Sequence, residues 1–235
     1  MKKVLIMLIF TLIFSQQIIA GIKITTSVST YSTMTKKKKT INQTSYLSNS
    51  LIRTVMCKGL VSIYNTANNK MYLLFPKKQQ YSVVNWDIIR PLLKTSLSAL
   101  KNMKVKITVL PGKRRVNRWY TKAFKLKVKT MMNEMDVTLY KYPRFKTPLV
   151  WKKYMNKLEQ LGCLMCVLQK KLKKYPGFPV KTVVSMKLYK QTIITTSLIK
   201  SINYRNIPNS LFRVPGNFKK IPFDLKQFNM KGCNG

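Results

Sequence analysis

The sequence predicts an α+β fold, mainly antiparallel β, and three observations predict it. Alternating apolar and polar runs are separated by turns at about ten-residue spacing, the pattern of an antiparallel meander. Two stretches switch to apolar residues three and four apart, the period of amphipathic helices. The chain has 235 residues, 46% of them hydrophobic, so a core can form despite a formal charge of +40.

The N-terminus comes first. Lys2 and Lys3 precede an apolar run from Val4 to Phe14, followed by Ser15, Gln16, Gln17, Ile18, Ile19 and Ala20. This is the layout of a secretory signal peptide over residues 1–20, with cleavage before Gly21. The apolar run falls short of the roughly 20 residues a membrane span needs. An uncleaved anchor is the alternative, because Ile18 stands where a small residue is usual before a cut. Residues 21–235 show no internal repeat and no linker, so they are read as one domain. Removing Lys2 and Lys3 takes the charge from +40 to +38.

In that domain Ile22, Ile24 and Val28 fall on one parity and Lys23, Thr25 and Ser29 on the other, which makes a strand. A polar link over 33–39 leads to strands over 40–45 and 51–57. Val61 and Ile63 share a face, and residues 65–69 are rich in types that tolerate a left-handed turn. Strands over 71–75 and 80–84 flank the turn Pro76-Lys77-Lys78. Ile89, Leu92, Leu93, Leu97, Leu100 and Met103 predict a helix over 86–103, with Asp87 as its cap and Pro91 in its first turn. Alternation returns over 104–110 and ends at Pro111-Gly112; further strands read over 123–129 and 135–140. A second helix over 149–174 carries Trp151, Tyr154, Met155, Leu158, Leu161, Met165, Leu168 and Leu172 on one stripe, and Tyr175-Pro-Gly-Phe-Pro179 stops it. Strands over 180–189 and 192–199 and a short one near Asn203 close the chain.

The side-chain inventory argues against catalysis. There is no His, and the only acids are Asp87, Glu134, Asp136, Glu159 and Asp224. General acid–base and nucleophilic mechanisms draw mostly on those residue types and on activated Cys. No Gly-rich phosphate loop is present, and no cofactor is expected. The basic residues are spread: Lys36 to Lys39 is the only run of four, while Lys104 and Lys106, and Lys125, Lys127 and Lys129, alternate with apolar positions. A solvated sheet face and an anion-binding surface both give that pattern. The net charge attracts polyanions, so an anionic membrane surface, lipopolysaccharide or an acidic protein are candidate partners. Export argues against a specific nucleic-acid role.

Cys57, Cys163, Cys166 and Cys233 make an even count, which suits disulfides in an exported protein. Cys163 and Cys166 form a C-x-x-C inside the second predicted helix rather than at a helix start, where a redox pair would sit. A local Cys163–Cys166 disulfide, structural disulfides elsewhere, buried thiols and a four-Cys zinc site stay open. Nothing in the sequence brings Cys57 and Cys233 to the pair, so no metal is assigned.

Several strings resemble a known family. They are Tyr46-Leu-Ser-Asn-Ser-Leu-Ile-Arg53, Ser62-Ile-Tyr-Asn-Thr66 with Lys70-Met-Tyr-Leu-Leu-Phe75 and Gln80-Tyr-Ser-Val-Val84, Tyr175-Pro-Gly-Phe-Pro-Val180, and the closing segment Ile207-Pro-Asn-Ser-Leu-Phe-Arg-Val-Pro-Gly-Asn-Phe-Lys-Lys220. Together they are similar to an uncharacterised exported bacterial domain family related to the outer-membrane lipoprotein carrier proteins. The resemblance implies a curved half-barrel sheet packed on two or three helices, located in the periplasm or cell envelope. It implies an apolar cavity that takes a lipid, an acyl chain or a lipidated protein, and no catalysis. The expected walls are Tyr72, Leu74, Tyr81, Val83, Val105, Ile107, Val109, Phe124, Leu126 and Val128. Trp86, Leu93, Trp151 and Met155 would come from the helices. An ordinary core needs the same residues. The rival expectation is a strongly cationic exported protein that binds anionic polymers or membrane surfaces, with the sheet as scaffold.

Overall fold

The computed structural model describes residues 18–56, 59–86, 89, 103–129, 134–160, 164–188 and 191–224, and only the backbone of 18–20, 160, 164–166 and 169. Among the described residues twelve strands make one sheet: β1 (Ile18–Ser32), β2 (Lys38–Leu47), β3 (Leu51–Val55), β4 (Val61–Asn65), β5 (Lys70–Phe75), β6 (Gln80–Val83), β7 (Lys104–Val116), β8 (Trp119–Lys129), β9 (Glu134–Tyr142), β10 (Phe178–Leu188), β11 (Gln191–Pro208) and β12 (Lys219–Lys220). Their spatial order is β12-β6-β5-β4-β3-β2-β1-β11-β10-β9-β8-β7, with β12 and β7 as open edges, so the sheet is not a closed barrel. The short β12 runs parallel to β6, whereas the long central pairs are antiparallel. Among the described residues the α-helical layer is α1 (Leu149–Gln160) and α2 (Leu164–Lys171).

Several sequence expectations change. The expected end of a strand at Pro111-Gly112 is instead a bulge: β7 continues to Val116, with Gly112 at φ 75°. The turn falls at Asn117-Arg118, where Asn117 takes the positive φ of 51° that a two-residue hairpin demands and Asn tolerates. The expected strands over 192–199 and near Asn203 are one strand, β11, because the shift between Thr25 and Thr26 on β1 leaves Lys200 as an extra residue. Of the helix expected over 149–174, Leu149–Gln160 and Leu164–Lys171 are helical, residues 161–163 lie outside the described residues, and the helix ends at Lys171 rather than Lys174. Of the helix expected over 86–103, only Trp86, Ile89 and Met103 are described: the Ile89 amide donates to Asn85 O at 3.3 Å, and Met103 is not helical. Two or three packed helices are therefore not supported; among the described residues the α-helical layer is Leu149–Gln160 and Leu164–Lys171.

The core lies on both sheet faces. In β5, Met71 and Leu73 pack with Tyr64, Val84 and Ile89, whereas Leu74 packs with Val61 and Ile63 on the other side, as a period of two requires. Ile24, Leu47, Ile52 and Phe178 meet Val150 of α1. Phe124, Leu126, Val128, Val137 and Leu139 are sealed by Leu168 and Leu172. The sheet bends around α1. Tyr64 of β4 and Phe178 of β10 stand five strand positions apart, about 24 Å on a flat sheet. Yet three ring contacts connect them: Tyr64–Tyr154 at 5.2 Å, Tyr154–Trp151 at 6.1 Å and Trp151–Phe178 at 5.9 Å.

Candidate functional site

The expected cavity residues separate into three groups. Tyr72, Leu74, Tyr81 and Val83 lie on the sheet face away from α1. There Val214 and Phe218 of the closing segment join Tyr72, Leu74 and Tyr81 in one cluster, Val83 stands opposite Tyr72, and the Tyr72 and Tyr81 rings are 6.4 Å apart. Val105, Ile107, Phe124, Leu126 and Val128 lie on the helix side, packed beneath Leu168 and Leu172; Leu126 is fully buried. Val109, on the same strand as Val105, is exposed. The third group is at α1: Trp86 packs edge-on to Tyr64 at 6.3 Å, while Trp151 and Met155 open onto a cleft. Leu93 lies outside the described residues, as do Cys57, Cys163, Cys233 and the side chain of Cys166.

The cleft has a volume of about 980 Å³ and runs between the helical stretch and the joined ends of β9 and β10. Its apolar floor comes from Leu139, Phe145, Trp151, Met155 and Tyr175. Its rim carries Lys146, Lys152, Lys170 and Lys173, all exposed, with Glu159 as the one carboxylate among the described residues.

The local sequence explains this shape. The Tyr175-Pro-Gly-Phe-Pro179 string does more than stop a helix. Gly177 sits at φ 112°, and a Cβ there would lie 2.8 Å from the Tyr142 carbonyl oxygen, so only glycine lets β10 start this close to the end of β9. Lys141 reaches under that turn and donates from Nζ to the carbonyls of Leu172 and Tyr175. Burial holds its amine below the usual lysine range. Tyr175 stacks on Phe124 at 4.8 Å, tying the cleft floor to the packed cluster below. Phe145 is fixed by Phe178 at 5.1 Å and Tyr204 at 6.3 Å. Across the mouth, Lys170 of α2 pairs with Glu159 of α1 at 2.9 Å.

Trp151 is the least satisfied wall residue. Its indole Nε1 is buried with no acceptor among the described residues, at a typical cost of about 1–3 kcal/mol. Tyr154, one turn on, is pushed up to about 12 by burial, with Tyr64 adding to the shift. Lys157 lies over the Trp86 ring at 5.4 Å. Sequence reasoning missed Phe145, Tyr175 and the lysine rim. The available signal was the Tyr-Pro-Gly-Phe-Pro string, whose aromatics flank the close approach of two strands.

Residues 30–218 match the family described as Domain of unknown function (DUF4412). No curated protein matches the chain. Among solved structures, PNGF-II shares 14% identity at a TM-score of 0.39, over 88% of this chain; the chain spans only 32% of that structure's length. A DUF1329 family protein from Desulfovibrio piger shares 7% identity at a TM-score of 0.33, over 88% of this chain and 93% of the other. A domain described as an outer membrane lipoprotein-sorting protein domain, from Vibrio parahaemolyticus, shares 7% identity at a TM-score of 0.28, over 92% of each chain. Likenesses at this level say nothing of ligand or activity.

Proposed function

This chain belongs to the DUF4412 family, and we propose that it is a non-enzymatic envelope protein that binds an anionic amphiphile in the cleft beside α1. The observation that carries the reading is the division of the cleft, with an apolar floor of Phe145, Trp151, Met155 and Tyr175 under a rim of lysines. An acyl chain on that floor gains about 0.8 kcal/mol for each methylene buried. A carboxylate or phosphate head meets Lys146, Lys152 and Lys173, which have no carboxylate partner among the described residues. The envelope location rests on the export pattern of residues 1–20.

Mass spectrometry of the natively purified protein tests the reading. A co-purifying fatty acid or phospholipid is expected, and Met155→Glu, which places a carboxylate on the apolar floor, should be recovered without it. Equal lipid on both proteins, or none on either, contradicts the proposal.

A further inference from the structure

We propose that the sheet face opposite the helices, at β7 and β8, docks on an anionic lipid surface through a lysine grid. Val105, Ile107, Leu126 and Val128 point to the helix side, so the alternating Lys104, Lys106, Lys125, Lys127 and Lys129 point away from it, and all five are exposed. Register makes the grid dense. Lys106 stands directly opposite Lys127, and Lys104 opposite Lys129. Lysines two residues apart on a strand are about 6.8 Å apart, and neighbouring strands about 4.8 Å apart.

Like charges directly opposite each other destabilise a strand pair. Little on the protein relieves them. Glu134 faces Lys129 and Asp136 faces Lys127 on β9, and those are the only acids on this face among the described residues. Glu134 is already engaged by Lys129 at 2.9 Å, and its carboxyl is held below the usual range first by that hydrogen bond, with Lys187 and Lys127 adding. The unneutralised charge is thus left for an external anion.

The shape of the grid selects the partner. It is two-dimensional, spreading across strands as well as along them, and matches a plane of headgroups better than one polymer strand. The next row on this face, beyond the Lys106–Lys127 pair, carries Thr108, Lys125 and Thr138, and no aromatic side chain stands in it for a base to stack on. This face is independent of the cleft, so the two proposals fail separately.

The test uses the full chain and sedimentation with vesicles of phosphatidylcholine, with and without phosphatidylglycerol, at low salt. The triple variant Lys106→Gln, Lys125→Gln, Lys127→Gln is compared with Lys77→Gln, Lys78→Gln, Lys219→Gln, which removes the same charge near the other sheet edge. A lysine near an anionic surface contributes about fivefold in binding, so the grid triple should lose roughly 100-fold on the phosphatidylglycerol vesicles and the other triple far less. Lys127→Gln alone, with about a fivefold loss, serves if the grid triple does not fold. Equal losses in the two triples overturn the proposal, because net charge alone then explains binding. So does tight binding to heparin with none to the vesicles, which would make the partner a polymer.

Discussion

Arg53 of β3 donates from Nη1 to the backbone carbonyl of Leu211, 2.8 Å away and 158 residues later in the chain. The contact pins the 3-10 turn Asn209–Phe212 to the sheet face opposite the helices. From there Val214 and Phe218 cover Ile63 and Leu74, and the Lys219 amide donates to Gln79 O at 2.8 Å as β12 joins β6. Arg53 and Leu211 belong to two of the strings that suggested the family, and the structure gives both a shared task in closing the sheet.

Arg53→Ala should therefore unlatch this segment. A charged hydrogen bond contributes about 1.5–3 kcal/mol, and a loss of that order is expected in urea denaturation. Hydrogen exchange should rise over residues 209–220 before it rises in β1 or β11. Uniform exchange across the sheet would mean that the segment is not separately held by Arg53.

The opposed lysines give a prediction of the other sign. Lys106→Glu replaces a like-charge pair with an opposite-charge pair across from Lys127. Stability should rise by about 0.2–1 kcal/mol, seen as a higher Tm at low salt and a smaller gain at high salt. The same variant should bind anionic vesicles more weakly. A lower Tm would show that the lysine pair is relieved in a way the register does not reveal.

Leu126 has no exposed surface and sits under Leu168 and Leu172. Leu126→Trp should overpack the cluster and cost about 1–3 kcal/mol. A Tm unchanged from the parent would place open space at Leu126 instead of in the cleft.

Tyr154 supplies a pH signature. Its hydroxyl is pushed up to about 12, against about 10 in an unfolded chain. Between those values the unfolded chain binds fewer protons than the folded one, so this group's contribution to stability falls as pH rises from about 10 towards 12. Tyr154→Phe should lose that slope. The difference between the two proteins in denaturant midpoint against pH is the quantity to plot, and parallel curves would refute the assignment.

Where one face alone was apolar, the sequence was readable. Phe124, Leu126 and Val128 alternate with lysines, and over that stretch β8 buries those three and leaves Lys125, Lys127 and Lys129 exposed. Where both parities were apolar, alternation had nothing to choose between. In Lys70-Met-Tyr-Leu-Leu-Phe75 the expected wall took Tyr72 and Leu74, while Met71 and Leu73 are the residues that face α1. That choice was fixed by Phe218 and Val214, some 140 residues away, which no local pattern encodes. The bulge at Pro111-Gly112 was hidden for a similar reason, since the register with β8 resumes at Arg114–Thr121 only because Trp119 and Val116 are buried in the cluster around Ile199 and Ile202. Trp151 and Met155 were legible from the helical stripe; their neighbour Phe145 was not, because its place depends on Phe178 and Tyr204.

The cleft is tested most directly by the fluorescence of Trp151. The chain has three tryptophans, and of these only Trp151 lines the cleft. A brominated fatty acid bound there should quench saturably in the parent protein. Trp151→Phe, which also removes the unpaired indole N–H, should stay folded and show no saturable quenching. Equal quenching of parent and variant, or none in either, would contradict an acyl chain in the cleft beside α1.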